Sequence, residues 1–340
     1  MAKKILIISP SWIGDCVMTQ PLYRRLHELH PDCVIDVFAP KWSMAVFARM
    51  PEINHIIENP FGHGALALKQ RWQLGRQLGK NGYDQVIVLP GSLKSAIVAA
   101  ATGIKQRTGY VGEQRYLMLN DMRKLDEAAL PLMVDRYTAL AHPTQASFNG
   151  HSSHPQFNID PISQQTALQK HQLNRDKPVL AFCPGAEFGP AKRWPASHFA
   201  ELARRYTAEG WQVWLFGSNK DDDIAVEINN LSGSLCVNLC GKTNLDEAID
   251  LLACANTVVC NDSGLMHVAA ALGCNLVAVY GSSSPDHTPP LSERAKVATL
   301  NLECSPCFER VCPLGHTNCL NQLTPQMVWD KAHEIKIHPV

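Results

Sequence analysis

The 340-residue chain lacks any apolar run approaching the roughly 20 residues that a bilayer-spanning helix requires. It also lacks a secretory opening, because Met1 to Ser9 is a basic pair, Lys3 and Lys4, followed at once by a strand-like apolar run. A cytoplasmic protein is the expectation from these two absences. No internal repeat or low-complexity tract interrupts the chain, and its basic residues form no run with aromatics interleaved, so nucleic acid is not an expected partner. A G-x-G-x-x-G turn is missing as well: the first strand ends in Ser9-Pro10-Ser11-Trp12-Ile13-Gly14-Asp15, with one glycine and a bulky tryptophan where a dinucleotide pyrophosphate needs close backbone approach. Gly241-Lys242-Thr243 resembles the end of a P-loop, but the glycine required at position 236 is Cys236, which removes the kinase or ATPase reading. His27-Glu28-Leu29-His30 falls one residue short of a zinc-protease H-E-x-x-H, so its second histidine faces elsewhere on a helix.

What is present is an ordinary globular composition, 46% hydrophobic, in a chain long enough for two cores. Lys+Arg and Asp+Glu both total 31, yet the charge is divided unevenly. Residues 1–174 hold 18 basic and 13 acidic side chains, a formal +5, and residues 175–340 carry the complementary −5. A basic half suits an anionic partner. Eight of the twelve cysteines (Cys16, Cys33, Cys183, Cys236, Cys240, Cys254, Cys260, Cys274) are scattered, several in or beside apolar runs, and read as small core residues in a reducing compartment.

Short β-rich runs alternate with longer amphipathic ones: Lys4 to Ser9, a helix over Asp15 to His30, Val34 to Ala39, a helix near Ser43, another over Leu66 to Asn81, Gln85 to Leu89, and a helix from Lys94. That pattern predicts a parallel sheet covered on both faces. Residues 141–172 lose the apolar rhythm and are rich in His, Ser, Pro, Gln and Asn, which places a linker there. The alternation then resumes with strands at Val179 to Cys183, Gln212 to Phe216, Thr257 to Cys260 and Leu276 to Tyr280, and helices at Ala196 to Glu209, Leu245 to Ala255 and Ser263 to Leu272. Two Rossmann-like domains, residues 1–174 and 175–340, are the expected α/β architecture.

Three loops at strand carboxyl ends carry the chemistry, since open α/β sheets bind ligands there. Asp15 stands either as a general base or as a carboxylate favoured at a helix start. Lys192 and Arg193, in the Pro184 to Pro195 loop, either stabilise a phosphate leaving group or are solvated charges. Asn261-Asp262-Ser263-Gly264-Leu265-Met266-His267 joins a strand to a helix of small residues, so backbone N–H groups and the helix dipole suit a diphosphate. Asp262 or Ser263 is expected to cap that helix as well. His267 is read either as a ligand contact or as a satisfied, partly buried histidine. Cys304, Cys307, Cys312, His316 and Cys319 cluster late in the chain; only Cys304 and Cys307 form the C-x2-C pair that structural zinc favours, so a structural zinc competes with reduced thiols packed in a loop.

Together, Ser11-Trp12-Ile13-Gly14-Asp15, Lys192-Arg193-Trp194-Pro195, Asn261 to His267 and the late cysteine run resemble the bacterial ADP-heptose:lipopolysaccharide heptosyltransferases, most nearly the heptosyltransferase II group. Gly62-His63-Gly64-Ala65-Leu66, Arg107-Thr108-Gly109 with Gly112-Glu113, Leu119-Asn120-Asp121 and Pro131-Leu132-Met133-Val134 extend the similarity over nearly the whole chain. The resemblance implies a GT-B fold whose two domains face a central cleft, an N-terminal acceptor-binding domain and a C-terminal nucleotide-sugar-binding domain. It implies an inverting transfer of L-glycero-D-manno-heptose from ADP-heptose to the first heptose of the lipopolysaccharide inner core, with no cofactor or catalytic metal. On this likeness Asp15 is the general base and Lys192 the phosphate-stabilising cation. Ser11, Trp12, Gly14, Arg193, Gly241, Thr243 and Asp262 to His267 contact substrate. The acceptor implies work at the inner face of the inner membrane. A heptosyltransferase I or III, a transferase of another sugar, or a non-catalytic binding module is the alternative.

Overall fold

The computed structural model describes residues 2–62, 64–144, 148 and 150–335. It divides into two compact units, Met1–His154 and Pro155–Val340. The first contains β1 (Lys4–Ile8), α1 (Ile13–Met18), α2 (Gln20–Leu29), β2 (Val34–Pro40), α3 (Met44–Phe47), β3 (His55–Asn59), α4 (Leu68–Leu78), β4 (Gln85–Val88), α5 (Leu93–Ala101), β5 (Gln106–Tyr110), β6 (Asp121–Arg123) and α6 (Met133–Ala139). The second contains α7 (Pro161–Lys170), β7 (Val179–Cys183), α8 (Ala196–Ala208), β8 (Gln212–Leu215), α9 (Asp222–Ser232), β9 (Cys236–Asn238), α10 (Leu245–Leu252), β10 (Thr257–Asn261), α11 (Gly264–Ala271), β11 (Asn275–Val279), β12 (Ala295–Ala298), α12 (Asn318–Asn321) and α13 (Pro325–His333).

Each unit is built on a six-stranded sheet whose strand pairs are all parallel. The central strands, Ile5 to Ile8 in one unit and Val179 to Cys183 in the other, are apolar at consecutive positions and buried throughout, as a sheet covered on both faces demands. The orders are β3-β2-β1-β4-β5-β6 and β12-β11-β10-β7-β8-β9. Each reverses direction once, between β1 and β4 and between β7 and β10. There the crossovers leave toward opposite sides and open a crevice beyond the strand carboxyl ends.

Two expectations are corrected here. The helix expected over Asp15 to His30 is broken at Thr19 into α1 and α2. Pro21 has no N–H for the carbonyl of Val17 and its ring would clash with it, so a new helix starts with proline in its first turn. The second concerns residues 141–172, expected as a linker: the compact units divide between His154 and Pro155, and α7 belongs to the second of them. Asp160 caps α7 by accepting from the N–H groups of Ile162 and Ser163, with Pro161 at the first position. That helix packs on α10, where Gln164 donates to the Asp250 carbonyl at 3.0 Å and Lys170 meets Glu247 at 2.6 Å. Its polarity reflects one exposed face rather than a linker. Of the Gly62 to Leu66 segment, His63 lies outside the described residues.

Candidate functional site

At the β1 switch point the chain leaves the sheet in an extended conformation at Trp12 and enters α1, whose third residue is Asp15. Trp12 at the N-cap makes no side-chain capping bond, and the half-buried Asp15 carboxylate sits in the first turn, where the dipole favours negative charge. The helix-start reading of Asp15 is therefore correct in position and compatible with a proton-accepting role. Ser11 contributes its carbonyl to the indole N–H of Trp42 at 2.9 Å, Gly14 is buried, and the Trp12 ring is 48% exposed.

In the second unit, the Pro184 to Pro195 loop leaves β7 and the Asp262 to Gly264 turn leaves β10, the two strands flanking its switch point. The loops are tied together by Asn261, whose side chain donates to the Pro184 carbonyl at 2.7 Å and accepts from the Trp194 N–H at 3.1 Å. Trp194 is fully buried and its indole N–H reaches the Leu323 carbonyl at 2.7 Å, which anchors the end of the loop in the core. Lys192 is thereby held with its ammonium 2.5 Å from the Asp262 carboxylate and 5.0 Å above the Phe188 ring. Ser283, from the loop after β11, donates to the same Asp262 oxygen. Lys192 is only 17% exposed and Asp262 5%, so the picture of Lys192 as a freely solvated loop charge does not hold. Arg193 lies 3.8 Å from Asp221, and its Nε is buried without a hydrogen-bond partner among the described residues.

Ser263 is the N-cap of α11, but the expected capping bond is absent from it and from Asp262. Ser263 Oγ instead lies 3.4 Å from the Cys260 thiol, while Asp262 is engaged by Lys192 and Ser283. The helix start therefore keeps backbone donors for an anion beside a lysine. Ser263, Gly264 and Leu265 are half-buried, whereas Met266 is turned into the core and accepts the Tyr280 hydroxyl at 3.3 Å. Gly241 adopts a left-handed φ of +68° after β9, packed on Asn219, and Thr243 precedes the Asn244 cap of α10. In the sheet β9 is separated from β7 by β8, so these two residues lie away from the switch point.

His267, in the opening turns of α11, is buried, and loss of solvation pushes its imidazole down to about 4, against a rise from Asp262 and reinforced by Lys192. It is neutral near pH 7. Because the unfolded chain takes up this proton near pH 6.5 and the folded chain does not until about pH 4, stability falls as the pH drops through that window. The full effect is roughly 3 kcal/mol, and His267→Gln is expected to flatten the fall in thermal midpoint between pH 6.5 and pH 5. An unchanged slope in the variant rejects His267 as the titrating group.

Three contributors carried little sequence signal. Ser283 belongs to a run of small polar residues after β11. Asp221 accepts from the Ser218 N–H at 2.9 Å and fills space that Gly185 and Gly217 leave open, since a Cβ on either would strike it. Arg310 donates to the Phe188 carbonyl at 2.8 Å and stacks over its ring at 5.4 Å. The late cysteines Cys304, Cys307, Cys312 and Cys319 line one cavity of about 20 Å3 with His316 and Ala191. Among the described residues no three His, Cys, Asp or Glu side chains are arranged to hold a metal ion, and the four thiols form no disulfide.

Two Rossmann-type sheets, with a carboxylate at one switch point and cations beside a helix start at the other, define a GT-B type α/β protein. The chain is 46% identical to lipopolysaccharide heptosyltransferase 2 of Escherichia coli K12, over 98% of each chain, and 45% identical to that of Salmonella typhimurium over the same shares. Its structure resembles that of E. coli ADP-heptose lps heptosyltransferase II, with a TM-score of 0.86, 44% identity and 98% of each chain covered. Residues 71–318 match glycosyltransferase family 9 (heptosyltransferase), and the chain belongs to that family.

Proposed function

We propose that the protein transfers L-glycero-D-manno-heptose from ADP-heptose to the first heptose of the lipopolysaccharide inner core, with inversion at the anomeric carbon. The observation that supports this reading most is Lys192, fixed by Asp262 beside the uncapped start of α11, in a chain so similar to heptosyltransferase 2. The first unit binds the acceptor and the second the nucleotide sugar. Asp15 takes the proton from the attacking hydroxyl while that oxygen forms its bond to the anomeric carbon and the bond to the donor phosphate breaks. Charge gathers on the departing ADP, where Lys192, Arg193 and the N–H groups of Ser263, Gly264 and Leu265 stabilise it. An inverting displacement puts base and leaving group on opposite faces of the sugar, which matches a carboxylate and a cation drawn from different loops.

No cofactor enters this scheme, and the site of action is the cytoplasmic face of the inner membrane, where the acceptor resides. Incubating the protein with ADP-heptose and lipopolysaccharide cores bearing no heptose or one heptose tests it. Transfer is expected onto the singly heptosylated core, with the new linkage inverted by NMR. Transfer onto the unheptosylated core instead, or retention of configuration, contradicts the proposal.

A further inference from the structure

Helix α4 has one face that is exposed among the described residues. Its inner face is fixed: Gly75 approaches α5 so closely that a Cβ there would lie 2.5 Å from the Val98 carbonyl oxygen and 2.6 Å from Ala101 Cβ, and Leu78 is buried beside it. Buried Arg71 secures the preceding turn, donating to the carbonyls of Leu66 at 2.8 Å and Ala65 at 2.9 Å with its guanidinium 4.2 Å from the Phe61 ring centre. Leu66, Leu68 and Trp72 are consequently directed outward, each more than half exposed at 53%, 51% and 53%. Leu68, Trp72 and Arg76 follow at four-residue intervals on α4, which stacks them on one side, with Lys69 alongside and Lys80 just beyond the helix end; Lys69, Arg76 and Lys80 are all exposed.

Between Phe61 and Tyr83 there is no acidic residue, in a unit, Met1–His154, that holds 17 Lys and Arg against 12 Asp and Glu. Apolar side chains amid cations are the composition of a helix that lies on an anionic bilayer, its aromatic and leucine side chains among the acyl chains and its lysines reaching the headgroups. A second copy of the chain fits the face poorly, because a twofold contact would bring the Lys69, Arg76 and Lys80 cluster of one copy against the same cluster of the other. Connectivity adds a direction. The β3–α4 connection and the β1–α1 connection both leave the carboxyl edge of the same sheet, so Leu66 and Leu68 lie at the edge of the unit that carries Asp15.

We infer that the outer face of α4, with Leu66 in the turn before it, docks this protein on a membrane surface bearing anionic headgroups, at the edge of the first unit from which Asp15 acts. The inference rests on the proposed function for its direction, since a lipid-borne acceptor is what docking at that edge would serve.

The test is sedimentation of the full chain with zwitterionic vesicles and with vesicles containing anionic phospholipid, at low and high salt. Binding is expected to be at least tenfold stronger to the anionic vesicles at low salt and to weaken as salt is added. Lys69→Gln with Arg76→Gln should reduce it by about fivefold per cation. Leu68→Ser with Trp72→Ser should reduce it tenfold or more by removing apolar insertion. Circular dichroism and transfer of heptose to a delipidated acceptor should be unchanged in both variants, because these side chains are exposed and have no part in the proposed transfer. Equal binding to both vesicle types at low salt, or variants that bind like the wild type, overturns the inference. Failure of the proposed function is a separate outcome: it shows as absent transfer to the delipidated acceptor by the unmodified chain, whatever the vesicles do.

Discussion

Asp15→Asn is expected to lower turnover by about 100- to 10,000-fold, the range a general base contributes, while leaving ADP-heptose binding close to wild type. Asparagine keeps the size of the side chain and is tolerated near a helix start, so α1 should form and thermal stability should change little. The substitution separates the two things Asp15 can do there. Its favourable placement in the first turn depends on charge only weakly, whereas taking a proton depends on the carboxylate altogether. The loss should appear in kcat rather than in donor affinity, because the groups proposed to bind the diphosphate belong to the loops of the other sheet. Retention of more than about a tenth of normal turnover would assign Asp15 a structural role and require another base.

Lys192→Ala is expected to reduce turnover on the order of 100-fold, the cost of one preorganised donor at a developing charge. It should also destabilise the protein, although the residue lies on a loop, because Asp262 is 5% exposed and, among the described residues, keeps Ser283 as its remaining side-chain hydrogen-bond partner. An uncompensated carboxylate at that depth costs about 3 kcal/mol. Combining Lys192→Ala with Asp262→Asn should restore the thermal midpoint without restoring turnover. If the double variant recovers activity together with stability, Lys192 acts on the fold and not on the leaving group.

The central strands were legible in the sequence because a strand buried on both faces must be apolar at every position, as Leu6 to Ile8 and Val258 to Cys260 are. Short or peripheral strands give no such signal: β3 has its ends exposed or half-exposed, and β6, β9 and β12 are three or four residues with mixed burial. The loops at the switch points were legible for a different reason. Lys192, Asp262 and Ser263 follow apolar strands directly, so their place at a carboxyl edge comes with the strand itself. What they bond to was not legible. Asp262 reads locally as a helix cap, and only the three-dimensional arrangement of β7, β10 and β11 gives its carboxylate to Lys192 and Ser283 instead. Asp221 shows the same limit, because the space it fills is left partly by Gly185, in the loop after β7 and distant from it in sequence.

The strand order of the second sheet also governs when its site comes into being. Strands β7 and β10 lie side by side, yet the chain completes the whole excursion through β8 and β9 between them, and the residues of the Lys192–Asp262 pair are 70 positions apart. Ser283 must then arrive from beyond β11. Closing so long a loop costs entropy before any contact rewards it, which makes such pairings late events in folding. During synthesis, a nascent chain that ends before Ser283 already contains the crossover helices α8, α9, α10 and α11 but lacks the hydroxyl that joins Lys192 at Asp262. The Lys192–Asp262–Ser283 arrangement is therefore completed only once β11 has been made.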